Sequence, residues 1–166
     1  MRKLLRKFLK SDHQKLVEKM MRKAEQELND LPTMPVSNTR NLRARLILEE
    51  SLETIKALGF EIGLKKPKKI SKLQFKDFIL QEKSNYDSDA QENLENIVDG
   101  CADLIVVTTG CLSACGVPDL PILGEVDRNN LKKFKHGFFF RDDGKLIKPP
   151  NHKPPNIRKI LNSLNN

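Results

Sequence analysis

The sequence predicts an all-α protein: a helical bundle with a small β-hairpin and a proline-rich tail near its C-terminus. Three observations carry this. In RLILEESLE (Arg45–Glu53) a helix turning about 100° per residue gathers Glu49, Glu50 and Glu53 into one arc with the apolar Leu42 and Leu46. In IVDGCADLIVVTTG (residues 97–110) Asp99 and Asp103 stand at i, i+4, and the right half is almost wholly apolar. Aromatics are few (eight Phe, one Tyr, no Trp), so Leu, Ile and Val must build the core, which suits packed helices better than a sandwich. Carboxylates are costly to bury unless paired or metal-bound. Two acid-bearing apolar helices therefore predict helices that face each other around a hard cation.

Taken in order, Met1–Lys10 alternates basic and apolar residues and reads as a loosely docked amphipathic arm in preference to an organelle-targeting remnant. From an N-cap at Ser11 or Asp12, Leu16, Met20, Ala24 and Leu28 recur every four residues and predict a helix to Asn29, ended by Pro32. LPTMPVSNT is a loop, and Asn38 or Thr39 caps the first acidic helix, which runs to about Leu58 and closes at Gly59. Phe60–Asp87 is basic at its start and reads as an inserted loop with a short helix over Leu73–Leu80. Ser88 or Asp89 caps the second acidic helix, to about Cys115. Leu104–Thr109 has strand propensity, but Glu92, Glu95, Asp99 and Asp103 form one stripe at i, i+3 and i, i+4 across that boundary, which favours helix. Gly100 inside it costs about 1 kcal/mol relative to Ala and implies a packing or access reason. After Gly116-Val117-Pro118 come a polar helix over Leu120–Phe134, a hairpin over Gly137–Pro150 turning at Asp143-Gly144, the extended KPPNHKPP, and a closing helix over Ile157–Leu164.

At 166 residues the chain fits a single domain, 1–166, with a basic insert at about 61–87. The formal charge of +8 is concentrated outside the acidic stretches and implies anionic partners, or no more than a lysine-rich solvated surface. Three cysteines and no signal-type stretch predict a reduced, cytoplasmic protein. Cys111 and Cys115 lack further ligands at zinc spacing and read as core residues. The longest apolar run is broken at Thr108, Thr109 and Gly110, which predicts no membrane span.

EExxE on one helix followed by an acidic pair ending in Asp on the next resembles the all-α nucleoside triphosphate pyrophosphohydrolases, the MazG, dimeric dUTPase and phosphoribosyl-ATP pyrophosphohydrolase-like proteins. DGCADLIVVTTGCLSACGVP (residues 99–118), EVDRNNLKKF (Glu125–Phe134) and DDGKLIKPPNHKPPNI (residues 142–157) are similar, in the same order, to segments of one branch of that superfamily. The resemblance implies a MazG-like bundle, completed as a homodimer or homotetramer. It also implies Mg²⁺ (or Mn²⁺) and cleavage of a nucleotide between its α- and β-phosphates to monophosphate and pyrophosphate. Carried over, Glu50, Glu53 and Asp103 fall on metal ligands, with Asp99 as a fourth. Glu49 and Glu50 become the carboxylates that activate water, and Asn130, Lys133 and Lys148 the substrate contacts. The sequence departs from the superfamily's ExxD at Gly100, where a Glu would stand.

Other classes fit less well. A di-iron bundle needs Glu-x-x-His pairs, and His13, His136 and His152 supply none. A basic nucleic-acid-binding module has the lysines but no aromatic platform, zinc pattern or helix-turn-helix. A non-catalytic assembly module on the same bundle is the alternative that Gly100 keeps open.

Overall fold

The computed structural model describes residues 8–64, 78–82, 90–134, 139–142 and 144–165, with backbone alone at 78, 79 and 90–92. The elements are α1 (Asp12–Lys23), α2 (Ser37–Ala57), β1 (Phe60–Leu64), β2 (Phe78–Glu82), α3 (Ala90–Ala114), α4 (Asp119–Leu131) with a 3₁₀ turn over Lys132–Phe134, and α5 (Ile157–Asn165). The chain is all-α apart from short β pieces. Contacts divide it into two compact units, residues 40–108 and residues 1–39 with 109–166, and the division falls inside both α2 and α3.

The larger unit is tied by buried polar groups. Ser11 caps α1 as expected, its side chain accepting from Gln14 N at 3.0 Å. Gln14, fully buried, donates to Ser113 Oγ (3.0 Å) and Val117 O (2.9 Å), and its Oε1 accepts from Asp119 N (2.9 Å). Asp119 in turn accepts from Ser11 N (2.8 Å), Leu120 N (2.9 Å) and Ser11 Oγ. One amide and one carboxylate thus join the starts of α1 and α4 to the end of α3, beside buried Val17, Met21, Ala114 and Val117. Gly116 closes α3 at φ 69°, and a Cβ there would lie 2.1 Å from Leu31 O, so no other residue fits the turn.

Helix α1 stops at Lys23 instead of continuing to Asn29, because the polar residues beyond it serve the loop. Glu25 takes φ 54°, Asn29 Nδ2 donates to Ala114 O (2.7 Å), and Glu27 accepts from Val36 N (3.2 Å). Hydrogen bonds from Thr39 and Asn29 hold the Glu27 carboxyl below its ordinary value. It faces the start of α2, where a negative charge suits the helix dipole. That external cap lets α2 begin at Ser37, with Asn38 and Thr39 already inside the first turn. Gly59 closes α2 at φ 86°, donating to Lys56 O.

The insert differs from its sequence reading. Phe78–Glu82, expected within a short helix, is a strand paired antiparallel with Phe60–Leu64 in the register Ile62↔Leu80. The alternating Phe60, Ile62 and Leu64 provide a strand for it to pair with, and three successive apolar residues suit that strand better than one helix face. The rest of the insert, with Leu73 and Phe75, lies outside the described residues, as do the arm before Phe8, the caps Ser88 and Asp89, and Asp143. Near the C-terminus the hairpin is reduced to one bridge, Phe140↔Leu146. It is supported by Ile147 N to Phe139 O (2.8 Å) and Arg141 N to Lys145 O (2.9 Å).

Leu104–Thr109 is helical, as the acid stripe required, and Thr108 Oγ1 returns to Leu104 O (2.6 Å). The 22 residues Asn93–Ala114 are long and apolar enough, by length and composition, to cross a membrane. This corrects the expectation of no such stretch, since the threonines and glycine that interrupt the run lower its mean hydropathy little. Core helices have the same composition, and Asp99 and Asp103 on this one belong to the site below.

Candidate active site

The two acid clusters come together within residues 40–108. The pairing is set at one point, where Gly100 of α3 lies against Thr54 of α2. A Cβ at position 100 would come within 2.7 Å of Thr54 Oγ1 and 3.2 Å of Thr54 Cα. Thr54 is buried, and its hydroxyl turns back onto Glu50 O (2.7 Å). Gly100 is thus the close-approach residue of the helix crossing, which answers why a costly glycine stands in an α-helix. A glutamate there would drive the helices apart.

From this point the register follows. Among the charges acting on Glu50, Asp103 is foremost, and Thr54 backs onto Gly100. Further along, Glu53, Lys56 and Ala57 share a cavity with Asn93 and Asn96. Positions rise on α2 as they fall on α3, so the helices are antiparallel. The cavity, about 390 Å³, is completed by Asp99, Gly100 and Asp103.

The acids are less covered than their apolar patterns imply. Glu50 and Asp103 are half-buried, whereas Glu49, Glu53 and Asp99 are exposed; of the apolar residues on their arc, Leu42 is itself exposed and Leu46 half-buried. Even so, the Glu50 carboxyl is pushed above its ordinary value of 4.5, first by desolvation and then by Asp103, Glu53, Glu49 and Asp99 in that order. The four other sequence-predicted acids therefore all act on Glu50. Glu53, Asp99 and Asp103 line the cavity; Glu49 and Glu50 do not. Glu95 is exposed and off the cavity, and the side chain of Glu92 lies outside the described residues.

A hard divalent cation fits this donor set chemically, because every candidate ligand is a carboxylate oxygen and the mutual repulsion at Glu50 is what a cation relieves. Among the described residues, however, no group of three or more His, Cys, Asp or Glu is drawn together closely enough to hold one. Ligation therefore requires the exposed carboxylates to turn inward.

The predicted substrate contacts belong to the other unit. Lys133 Nζ donates to Asn130 Oδ1 (2.7 Å) on the exposed end of α4, and Lys148 is exposed in the hairpin's second arm. The neighbouring Asn129 is the buried one, holding the proline-rich tail through Lys153 O (2.9 Å) and His152 Nε2 (3.0 Å). Sequence reasoning passed over Asn93, Asn96 and Lys56. The signal was there: Asn96 and Asn93 continue the face of Asp103 and Gly100 at helical spacing, and Lys56 follows Glu53 at i+3.

With this geometry in place, a comparison of the sequence with protein families decides the matter: residues 17–130 match the phosphoribosyl-ATP pyrophosphohydrolase family. The chain belongs to that family. As a phosphoribosyl-ATP pyrophosphohydrolase family member it is a hydrolase of the all-α nucleoside triphosphate pyrophosphohydrolase superfamily, a nucleotide pyrophosphohydrolase acting on phosphoric anhydrides. Enzymes of this superfamily typically depend on a divalent metal. The family match takes in α2, α3 and the acids of both, and ends at Asn130, before Lys133 and Lys148. No curated protein matches the chain.

Proposed function

We propose that this enzyme cleaves a nucleoside triphosphate, or a related nucleotide such as the phosphoribosylated one its family is named for, between the α- and β-phosphates. The products are a monophosphate and pyrophosphate. The observation that carries this reading is the single cavity lined by Glu53 of α2 and Asp99 and Asp103 of α3, with Glu50 within electrostatic reach of all three. In this reading Glu50, Glu53, Asp99 and Asp103 hold Mg²⁺ (or Mn²⁺). When bound, the cation neutralises phosphate oxygens and lowers the pKa of a water. Glu49 or Glu50 accepts a proton from the attacking water. Binding roles for Asn130, Lys133 and Lys148 rest on the sequence resemblance.

Assembly is part of the proposal. Leu48 and Val98 are each 60% exposed and Ile105 57%, which supports a homodimer or homotetramer burying these faces of α2 and α3. A stable monomer at micromolar concentration by light scattering contradicts this. We also treat both compact units as one domain of a cytoplasmic enzyme; the family match, which spans the division between the units, supports the first part.

The test is a panel of canonical and modified nucleoside triphosphates with Mg²⁺ or Mn²⁺, products resolved by phosphate position. Monophosphate and pyrophosphate are expected. Orthophosphate as first product rejects the reading, and salt-sensitive retention on nucleic acid without turnover favours a basic binding module.

A further inference from the structure

The α2–α3 cavity is not uniform along its length, and its order carries information. At one end stand the carboxylates of Asp103, Asp99 and Glu53. Next along α2, one turn beyond Glu53, comes Lys56, followed by the small Ala57. At the other end α3 presents two amides, Asn96 and Asn93. The helical rise puts Asn96 about 10 Å and Asn93 about 15 Å along the axis from Asp103. Acid, cation and amide follow one another on a single groove.

A nucleotide has the same sequence of chemistries. Its terminal phosphates travel with a divalent cation and need carboxylates. Its α-phosphate keeps its charge after cleavage and needs a fixed cation. Its nucleoside carries donors and acceptors on one edge, which a side-chain amide, being both, can pair. Lys56 cannot neutralise the whole polyphosphate, but it stands between the acids and the amides, where the retained phosphate would be.

We infer that the Asn93–Asn96–Lys56 end of the cavity is the nucleoside-monophosphate subsite: Lys56 holds the α-phosphate, and the two amides read the base or sugar. Glu53, Asp99 and Asp103 then face the β- and γ-phosphates. The inference rests on the proposed cleavage between the α- and β-phosphates and adds to it the substrate's direction and the residues that select it. Ala57 contributes by being small, leaving the α2 wall open opposite Asn96. Lys56 and the asparagines are positioned to bind and not to react, so their effects belong in affinity and base preference.

The test separates this subsite from the acids by using the product. Binding of AMP, GMP, CMP and UMP to the full-length protein is measured by calorimetry with metal chelated. Wild type is expected to bind at least one of them with a preference among bases. Lys56→Ala should weaken all four alike, and Asn93→Ala/Asn96→Ala should weaken the preferred one by roughly tenfold and level the preference. In turnover with the preferred triphosphate the double variant should raise KM and flatten the ratio of kcat/KM between bases. If wild type turns over triphosphates to pyrophosphate while the double variant keeps wild-type base preference and affinity, the subsite is wrong and the reaction stands. If no nucleotide yields pyrophosphate, the reaction reading fails and takes the subsite with it.

Discussion

Two groups of polar side chains in this molecule invite comparison. Around Gln14 and Asp119 every group has its complement. A fully buried amide makes three hydrogen bonds, and a buried carboxylate accepts from two backbone N–H groups and a hydroxyl. Around Glu50 the arrangement is inverted: this carboxyl holds its proton more tightly, first because it is partly desolvated and then because four other carboxylates from two helices, Asp103, Glu53, Glu49 and Asp99, act on it. The first pattern joins three helix ends. The second disfavours the charged form of Glu50, and a nearby cation would relieve that. In a helical protein of ordinary composition, satisfied polar clusters mark the frame and mutually repelling ones mark the site.

The largest effect that can break this comparison is on turnover. Replacing Glu50, Glu53 or Asp103 by Ala should lower metal-dependent pyrophosphate release by about a hundredfold or more, while the folded fraction holds, since each change also removes repulsion. Asp99→Ala should fall between these variants and wild type. Steady-state kinetics with a metal titration checks the series, and full turnover by Glu53→Ala would return the acids to a structural role.

Next is the frame. Gln14→Leu keeps the bulk but strands Ser113 Oγ, Val117 O and Asp119 N in a buried place, and should cost about 2–4 kcal/mol in urea unfolding. The contrast sharpens if turnover per folded molecule stays near wild type in this variant. A loss below about 1 kcal/mol would mean the latch is far looser than its hydrogen bonds imply.

How much of this was legible beforehand follows the same division. The all-α class, the acid helices and their five carboxylates were readable because a stripe of Asp and Glu at i, i+4 on an apolar helix is costly unless a cation or another charge faces it. The cap at Ser11 and the glycine closures at Gly59 and Gly116 were local signals. The helix crossing was not readable, because nothing in the spacing of α3 says that Thr54 lies opposite Gly100; a contact between residues 46 positions apart appears only once the register is set. The Gln14–Asp119 latch was hidden for the same reason. The strand at Phe78–Glu82 was missed because its partner lies across a long basic segment, and a short apolar run without its partner fits either state. Lys56, Asn93 and Asn96 carry no motif and become visible only as walls of a shared cavity.

A smaller effect tests the crossing itself. Gly100→Ala gains about 1 kcal/mol of helix propensity but sets a methyl 2.7 Å from Thr54 Oγ1, and strain from overpacking of about 1–3 kcal/mol should outweigh it. Thr54→Ala removes the nearest atom, so the double variant should be more stable than the sum of the single changes predicts. A double-mutant cycle by urea unfolding measures this coupling, and additivity would mean that the two helices do not meet here.

The smallest effect concerns pH. The Glu50 carboxyl is raised above 4.5 in the folded chain, first by desolvation and then by Asp103 and the other acids, whereas in the unfolded chain it is not. Between those two values the folded state binds more protons than the unfolded one, so stability falls as pH rises through that interval. Below the unfolded value Glu50 is protonated in both states and its destabilising influence is gone. Metal-free Glu50→Gln, which cannot ionise, should therefore melt above wild type at neutral pH, and the two curves should converge as the pH falls below 4.5. A saturating divalent cation should raise the wild-type melting temperature at neutral pH and do less for Glu50→Gln, since a ligand that binds only the folded state stabilises in proportion to its affinity. A melting difference that does not change with pH would mean that Glu50 acts through packing alone, and that the contrast with the Gln14 latch is one of exposure and not of charge.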